Sequence, residues 1–242
     1  MNTELKGVFF DLNGTLLKYG DLSQATKDHE EQIYQFLCKH GMSISREFFD
    51  EGVQNYFNIE QPKTIAPELT LFEYKLQQFC HLMGVTLKME ELHDLATISI
   101  NAWAKHHPLD PEAIEVLEEL NLHYMLALIT DFDHPPFIYS IIQRYNLEQY
   151  FRCIIISGEE GVSKPNPKMF IRALDETGLR SEEVVYVGDS IEHDVEGASG
   201  VGMIPIHIKR EQIKKVIKNG QNKGYIINQL KILPNLLLSL RL

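Results

Sequence analysis

Short apolar runs recur along this chain, and each is cut off by polar residues or glycine. Val8, Phe9 and Phe10 form the first; it ends at Asp11, and Asn13 and Gly14 break the pattern. Such a run fits a strand buried on both faces of a parallel sheet. Tyr124 to Ile129, Cys153 to Ile156, Val184 to Val187 and Met203 to Ile208 repeat it, and Tyr225 to Ile227 adds a short sixth. The stretches between them read as helices. Asp110 is an N-cap with Pro111 at the first helical position, and Ala113, Ile114, Leu117 and Leu120 form an inward face. Pro135–Pro136 opens a helix to about Tyr145, Asn166–Pro167 opens one to about Thr177, and another runs from about Asp194 to Gly200. Alternating strands and helices predict an α/β, Rossmann-like parallel sheet with right-handed crossovers and helices on both sides.

The character changes between 18 and 107. Apolar residues there recur at helical spacing and strand signals are scarce. Ile33, Phe36 and Leu37 make one stripe; Leu69, Phe72, Leu76, Phe79 and Met83 make another, with Gly84 as a C-terminal cap. A third helix spans about Ser45 to Tyr56 and a fourth Met89 to Ala104. Four helices would bury these faces against one another. The expected organisation is a core of 1–17 and 108–242 with a helical domain, 18–107, inserted into it.

The length of 242 residues suits one domain carrying a smaller insert. A formal charge of −11 argues against nucleic acid or an anionic membrane as partner, and suits recruitment of a divalent cation. Cys38, Cys80 and Cys153 are widely spaced with no CxxC pair, which predicts reduced thiols, each a small core residue, in a cytoplasmic protein. The N-terminus carries no signal-like segment, and the Leu-rich C-terminus, interrupted by Pro234, is shorter than the ~20 apolar residues of a membrane span, so it reads as a packed terminal helix. The adjacent pair His106–His107 is assigned no metal, because neighbouring side chains diverge on a helix.

The candidate chemistry sits at strand ends. Asp11 follows the first apolar run, Thr130 and Asp131 end the second, and Asp189 and Asp194 follow the fourth in VVYVGDSIEHD; Lys164 lies between them in GVSKPNPKMF. Taken singly, each has a bland reading as a capped strand end, a solvated loop or a surface lysine. In this order the four motifs resemble those of the haloacid dehalogenase superfamily of phosphatases and related hydrolases, over about 1–17 and 108–242. The insert resembles that superfamily's helical cap, which closes over the active site and selects substrate.

The resemblance implies a Mg²⁺-dependent phosphatase of a small phosphorylated metabolite. It makes Asp11 the nucleophile that forms an aspartyl-phosphate. The metal ligands become Asp11, the backbone carbonyl of Asn13 and Asp189, with Asp194 a ligand through water or the residue that orients Lys164. Thr130, the backbone N–H of Asp131 and Lys164 bind phosphate. One position departs from the pattern: where the phosphatases carry a second Asp as acid–base, this chain has Asn13. General acid–base catalysis contributes roughly 10²–10⁴-fold, and a carboxamide exchanges no proton in the working pH range. Three readings follow: an active phosphatase with another proton source, a natural phosphate-binding pseudo-phosphatase, or a substitution that traps substrate. Haloacid dehalogenases also lack the second Asp but lack the GDSxxxD carboxylates kept here. Phosphomutases share the cap and motifs but use the second Asp. A receiver domain also pairs Asp, Thr and Lys around Mg²⁺, but it is about half this length and has no helical insert.

Overall fold

The computed structural model describes residues 4–210, 217–218 and 224–240. The chain divides into two compact units: the residues up to Lys18, Leu109–Phe132 and those from Ser140 onward form the first, and Tyr19–Pro108 with Asp133–Tyr139 form the second.

The first unit is built on a sheet of β1 (Gly7–Phe10), β2 (Met125–Thr130), β3 (Phe151–Ile156), β4 (Val184–Gly188), β5 (Ile204–Ile208), β6 (Ile217–Lys218) and β7 (Tyr225–Ile227). The strand order is β3-β2-β1-β4-β5-β7-β6. Every neighbouring pair is parallel except β7 and β6; β6 is an antiparallel addition at one edge that the apolar pattern does not announce. All four residues of β1 are buried, as expected for the middle of a covered parallel sheet. Phe9 pairs with Ala127 on one side and Tyr186 on the other, and the Asp11 N–H donates to Val187 O at 2.9 Å, carrying the ladder one residue past the strand. Chain order reverses at β1. Open α/β sheets place ligands at that switch point, beyond the carboxyl ends of the strands.

The helices of this unit are α5 (Ala113–Asn121), α6 (Pro135–Arg144), α7 (Ser157–Glu160), α8 (Pro167–Thr177), α9 (Gly197–Gly200) and the terminal α10 (Leu233–Leu240). The opening residues of α6 group with the second unit. Asn166 caps α8 by accepting from the Lys168 N–H at 3.0 Å. The apolar face of α8, Met169, Phe170 and Ala173, packs on Phe9, Ile129, Ile155 and Tyr186.

Two helix starts differ from expectation. α5 begins at Ala113, two residues after Pro111. Asp110 spends its Oδ1 on the Glu112 N–H (2.8 Å) and its Oδ2 on Arg210, which fixes a turn before the helix. The helix expected from Asp194 begins instead at Ile191 as a π-turn, Ile191–Glu196. The N–H groups of both Asp194 and Val195 donate to Ser190 O at 3.1 Å, and the widened turn carries Asp194 inward, where it is 1% exposed.

The second unit contains α1 (Leu22–Lys39), α2 (Arg46–Val53), α3 (Leu71–Leu82) and α4 (Met89–Ala104). Asp21, Ser45 and Thr70 cap the first three, Thr70 within a capping box with Glu73. α2 stops at Val53, and Tyr56–Asn58 forms a separate 3₁₀ turn where the apolar pattern suggested continued helix. Leu69 lies before α3, while Gly84 follows it with φ +74°, a left-handed conformation that suits glycine. His29, on α1, is buried: its Nδ1–H donates to Ser99 O at 3.0 Å, so its Nε2 accepts from the Tyr56 hydroxyl at 2.6 Å. The expectation that all three cysteines lie in the core fails at Cys38, which is exposed; Cys80 is buried and Cys153 partly so. Among the described residues, no helix is long and apolar enough to cross a membrane.

Candidate active site

The site lies wholly in the first unit, at the carboxyl end of its sheet. β1 delivers Asp11, β2 delivers Thr130 and Asp131, and β4 delivers Gly188 and Asp189. Lys164, on the segment between α7 and α8, reaches into the middle. Its Nζ donates to Asp11 Oδ1 and to Asp194 Oδ1, both at 2.7 Å. Lys164 is 3% exposed, Asp11 5% and Asp194 1%, so this is a buried ammonium bridging two buried carboxylates. Carboxylate oxygens of Asp11, Asp189 and Asp194 lie within 4.8 Å of one another.

Neighbouring groups hold this arrangement. Asp194 Oδ2 accepts from the Ser190 N–H at 3.0 Å. A Cβ at position 188 would collide with the Asp194 side chain, so only glycine fits there. Asp131 braces the Lys164 segment: its Oδ1 accepts from the Lys164 backbone N–H at 3.1 Å, and its Oδ2 lies 3.7 Å from His193 Nδ1. The Phe132 N–H is held by Ser157 Oγ at 2.9 Å.

The electrostatics call for positive charge. Burial pushes Asp11 up to about 7, the neighbouring Asp194 and Asp189 add to the rise, and Lys164 opposes it. Asp189 is raised to about 6, chiefly by burial and then by Asp194. Burial works to lower Lys164, but the groups around it, Asp11 first, hold it well above its ordinary value, so it is an ammonium. One ammonium facing three carboxylates leaves surplus negative charge. Four buried oxygens on the segments that end β1 and β2, Asp11 Oδ2, Asn13 Oδ1, Thr15 Oγ1 and Thr130 Oγ1, are among the side-chain atoms with no hydrogen-bond partner among the described residues. Buried polar atoms are seldom left unpaired without a functional reason. A clustered carboxylate set with a free Asp11 oxygen is the hard-oxygen environment that Mg²⁺ prefers, so these residues fit such a cation.

The structure therefore brings together Asp11, Lys164, Asp189 and Asp194, with Thr130 and Asp131 on the adjoining strand end and Asn13 on the turn after Asp11. Three further residues escaped the sequence reading. Tyr186 lies under Lys164, its hydroxyl 3.2 Å from Nζ. His207, on β5, donates from Nε2 to Asp189 O at 2.9 Å. Arg210 holds the carbonyls of Gly14 and Thr15 together with the carboxylate of Asp110. A tyrosine interrupting an otherwise aliphatic strand, VVYVG, was the one available signal; His207 and Arg210 had none.

Comparison with known proteins identifies what the chain as a whole is similar to. A family model described as haloacid dehalogenase-like hydrolase matches residues 5–202. The chain is 32% identical over 243 aligned residues to a glyceraldehyde 3-phosphate phosphatase of Methanocaldococcus jannaschii, covering 98% of this chain and 99% of that one. It is 25% identical over 234 residues to a glyceraldehyde 3-phosphate phosphatase of Pyrococcus furiosus, covering 93% and 90%. The crystal structure of a HAD phosphatase from Thermococcus onnurineus matches with a TM-score of 0.67 at 25% identity, over 98% of this chain and 100% of that chain.

Proposed function

The chain belongs to the haloacid dehalogenase-like hydrolase family, and from that premise we propose that it is a phosphatase of a small phosphorylated metabolite, dependent on Mg²⁺. The observation that carries this reading is the Lys164 bridge between Asp11 and Asp194, set among buried oxygens that have no partner among the described residues.

In this reading a carboxylate oxygen of Asp11 forms a bond to phosphorus as the ester P–O bond breaks, and the departing alcohol oxygen takes up a proton. Water then splits the aspartyl-phosphate, releasing inorganic phosphate and restoring Asp11. Lys164 supplies a fixed point charge beside the transferred group. The Thr130 hydroxyl and the backbone N–H of Asp131 supply donors to the phosphoryl oxygens. Asp11, Asp189 and the backbone carbonyl of Asn13 would hold the cation, and Asp194 serves Lys164. When bound, the cation offsets the negative charge of carboxylates and phosphate and orients the phosphoryl oxygens. Asn13 can donate a hydrogen bond to the leaving oxygen but cannot protonate it, so the proton comes from water or is little needed.

Glyceraldehyde 3-phosphate is the first substrate to try, because two relatives aligned over nearly the whole chain carry that name. We place substrate selection in the helical unit and the protein in the cytoplasm, and we assign no nucleic-acid or membrane partner. A second reading, a phosphate-binding pseudo-phosphatase, is favoured by one residue, Asn13, which leaves no titratable group at that position.

The test is Mg²⁺-dependent phosphate release from glyceraldehyde 3-phosphate and a panel of small phosphate esters, with this chain and Asn13→Asp side by side. Turnover by both supports the phosphatase reading. A gain of roughly 10²–10⁴-fold in Asn13→Asp over a nearly silent parent supports the second reading. No turnover by either, with no Mg²⁺-dependent phosphate binding, overturns both.

A further inference from the structure

Tyr186 is fully buried in the middle of β4, between valines. Its ring packs edge-on against Phe170 at 5.2 Å, a place a phenylalanine would fill equally well. The hydroxyl must therefore be accounted for, since a buried one without partners is destabilising. Each partner it has comes from the site or its edge. It lies 3.2 Å from Lys164 Nζ, 3.0 Å from Asp194 Oδ1 and 3.3 Å from Ile129 O, the carbonyl just before Thr130.

Counting protons assigns the bonds. The Lys164 ammonium has three. Two go to the short contacts at Asp11 Oδ1 and Asp194 Oδ1, and the third points back toward Tyr186 and Ile129 O, which lies 3.2 Å away. The tyrosine hydroxyl accepts from the ammonium and donates its own proton to Asp194 Oδ1. Burial holds the phenol well above its ordinary value, so that proton stays in place.

We propose that Tyr186 is a positioning residue: its hydroxyl seats the Lys164 ammonium in the fork between Asp11 Oδ1 and Asp194 Oδ1, and so leaves Asp11 Oδ2 as the uncommitted oxygen. Without the hydroxyl, Asp194 Oδ1 loses one of its two donors and the ammonium loses one of its two backstops. The ammonium is then free to shift between the two carboxylates, and the orientation of Asp11 follows it. The catalytic consequence rests on the reading of Asp11 as nucleophile; the seating itself does not.

The test is Tyr186→Phe, with Phe170→Leu as a control that disturbs the same packing and keeps the hydroxyl. The readout independent of activity is ¹⁵N–¹H NMR of the lysine ammonium groups, with the Lys164 signal identified by its loss in Lys164→Met. The expected result is a slowly exchanging Lys164 signal in the native protein that shifts and broadens in Tyr186→Phe and stays in place in Phe170→Leu. Losing a hydrogen bond to a charged group should also lower kcat for phosphate release on the order of tenfold at unchanged KM. An unmoved ammonium signal in Tyr186→Phe overturns the proposal, as does an equal shift in both variants, which would mark a packing effect. If the protein hydrolyses no ester, the NMR arm still decides whether Tyr186 seats Lys164. Should Tyr186→Phe not fold, the hydroxyl is needed for the fold itself and the positioning role is overturned.

Discussion

Lys164 Nζ lies 2.7 Å from Asp11 Oδ1, although 153 positions separate the two residues. The contact is buried, so neither charge has water to fall back on. It sets what the rest of the site must supply, because Asp194 shares the same ammonium and Asp189 adds a third carboxylate.

Removing that ammonium should be severe. Lys164→Met leaves Asp11 and Asp194 buried without a counter-charge, and breaking a buried pair from one side costs about 3–5 kcal/mol. Urea unfolding should show a loss of this size in the cation-free protein. A loss below ~1 kcal/mol, the range of exposed pairs, would mean that the bridge is solvated.

Mg²⁺ should stabilise the fold. At a concentration of about 100 Kd it should add ~2.7 kcal/mol, lost again on chelation. Asp189→Asn should remove this response. It should also raise the thermal midpoint near pH 7.5 without cation. A carboxyl whose folded value is raised, here to about 6, weakens the fold at pH values above its unfolded value, so a neutral replacement relieves it. Scanning calorimetry with and without Mg²⁺ reads both effects.

The acid limb of stability should depend on Glu183. Arg180 and then Lys6 hold its carboxyl down from 4.5 to about 2. A lowered carboxyl stabilises the fold above its unfolded value, and that contribution fades as pH falls from 4.5 toward 2. Glu183→Gln should flatten the fall of the urea midpoint across this window and leave it nearly level above. An unchanged slope would exclude the ion pairs as its source.

The thiols should separate by reactivity. Burial pushes Cys80 up to about 12 and Cys153 to about 11, whereas Cys38 is exposed. Brief treatment with a maleimide at pH 7.5 should label Cys38 first, as read by peptide mass spectrometry, because the thiolate is the reacting form. Early labelling of Cys80 would contradict its burial.

Much of this molecule was legible along the chain. The apolar runs marked β1, β2, β3, β4, β5 and β7, because a strand covered on both faces admits few polar residues. Asn166–Pro167 marked the start of α8, and Met89 to Ala104 matched α4, because caps and helical spacing are local chemistry. Less local features escaped. Asp110 followed by Pro111 has the pattern of an ordinary cap, but Asp110 bonds to Arg210, 100 positions away, and α5 starts at Ala113. The π-turn at Ile191–Glu196 follows from both N–H groups reaching Ser190 O, a choice invisible in residue types. Nor does the sequence say that Asp133–Tyr139 groups with the helical unit.

For the candidate site, the sequence by itself determined the order of groups, Asp11, Asn13, Thr130, Asp131, Lys164, Asp189 and Asp194, and set four of them, Asp11, Thr130, Asp131 and Asp189, at the ends of buried runs. A carboxylate that must face a ligand has to stand where an apolar strand stops, and that stop is written in the residues. Only the tertiary structure decided that Lys164 joins Asp11 to Asp194, that Tyr186 lies beneath it, and that His207 and Arg210 fasten the backbone around them. Those contacts join segments from different strands and loops. Parallel strands bring distant segments side by side, and the charge balance of a buried site is a sum over groups that only the folded sheet collects.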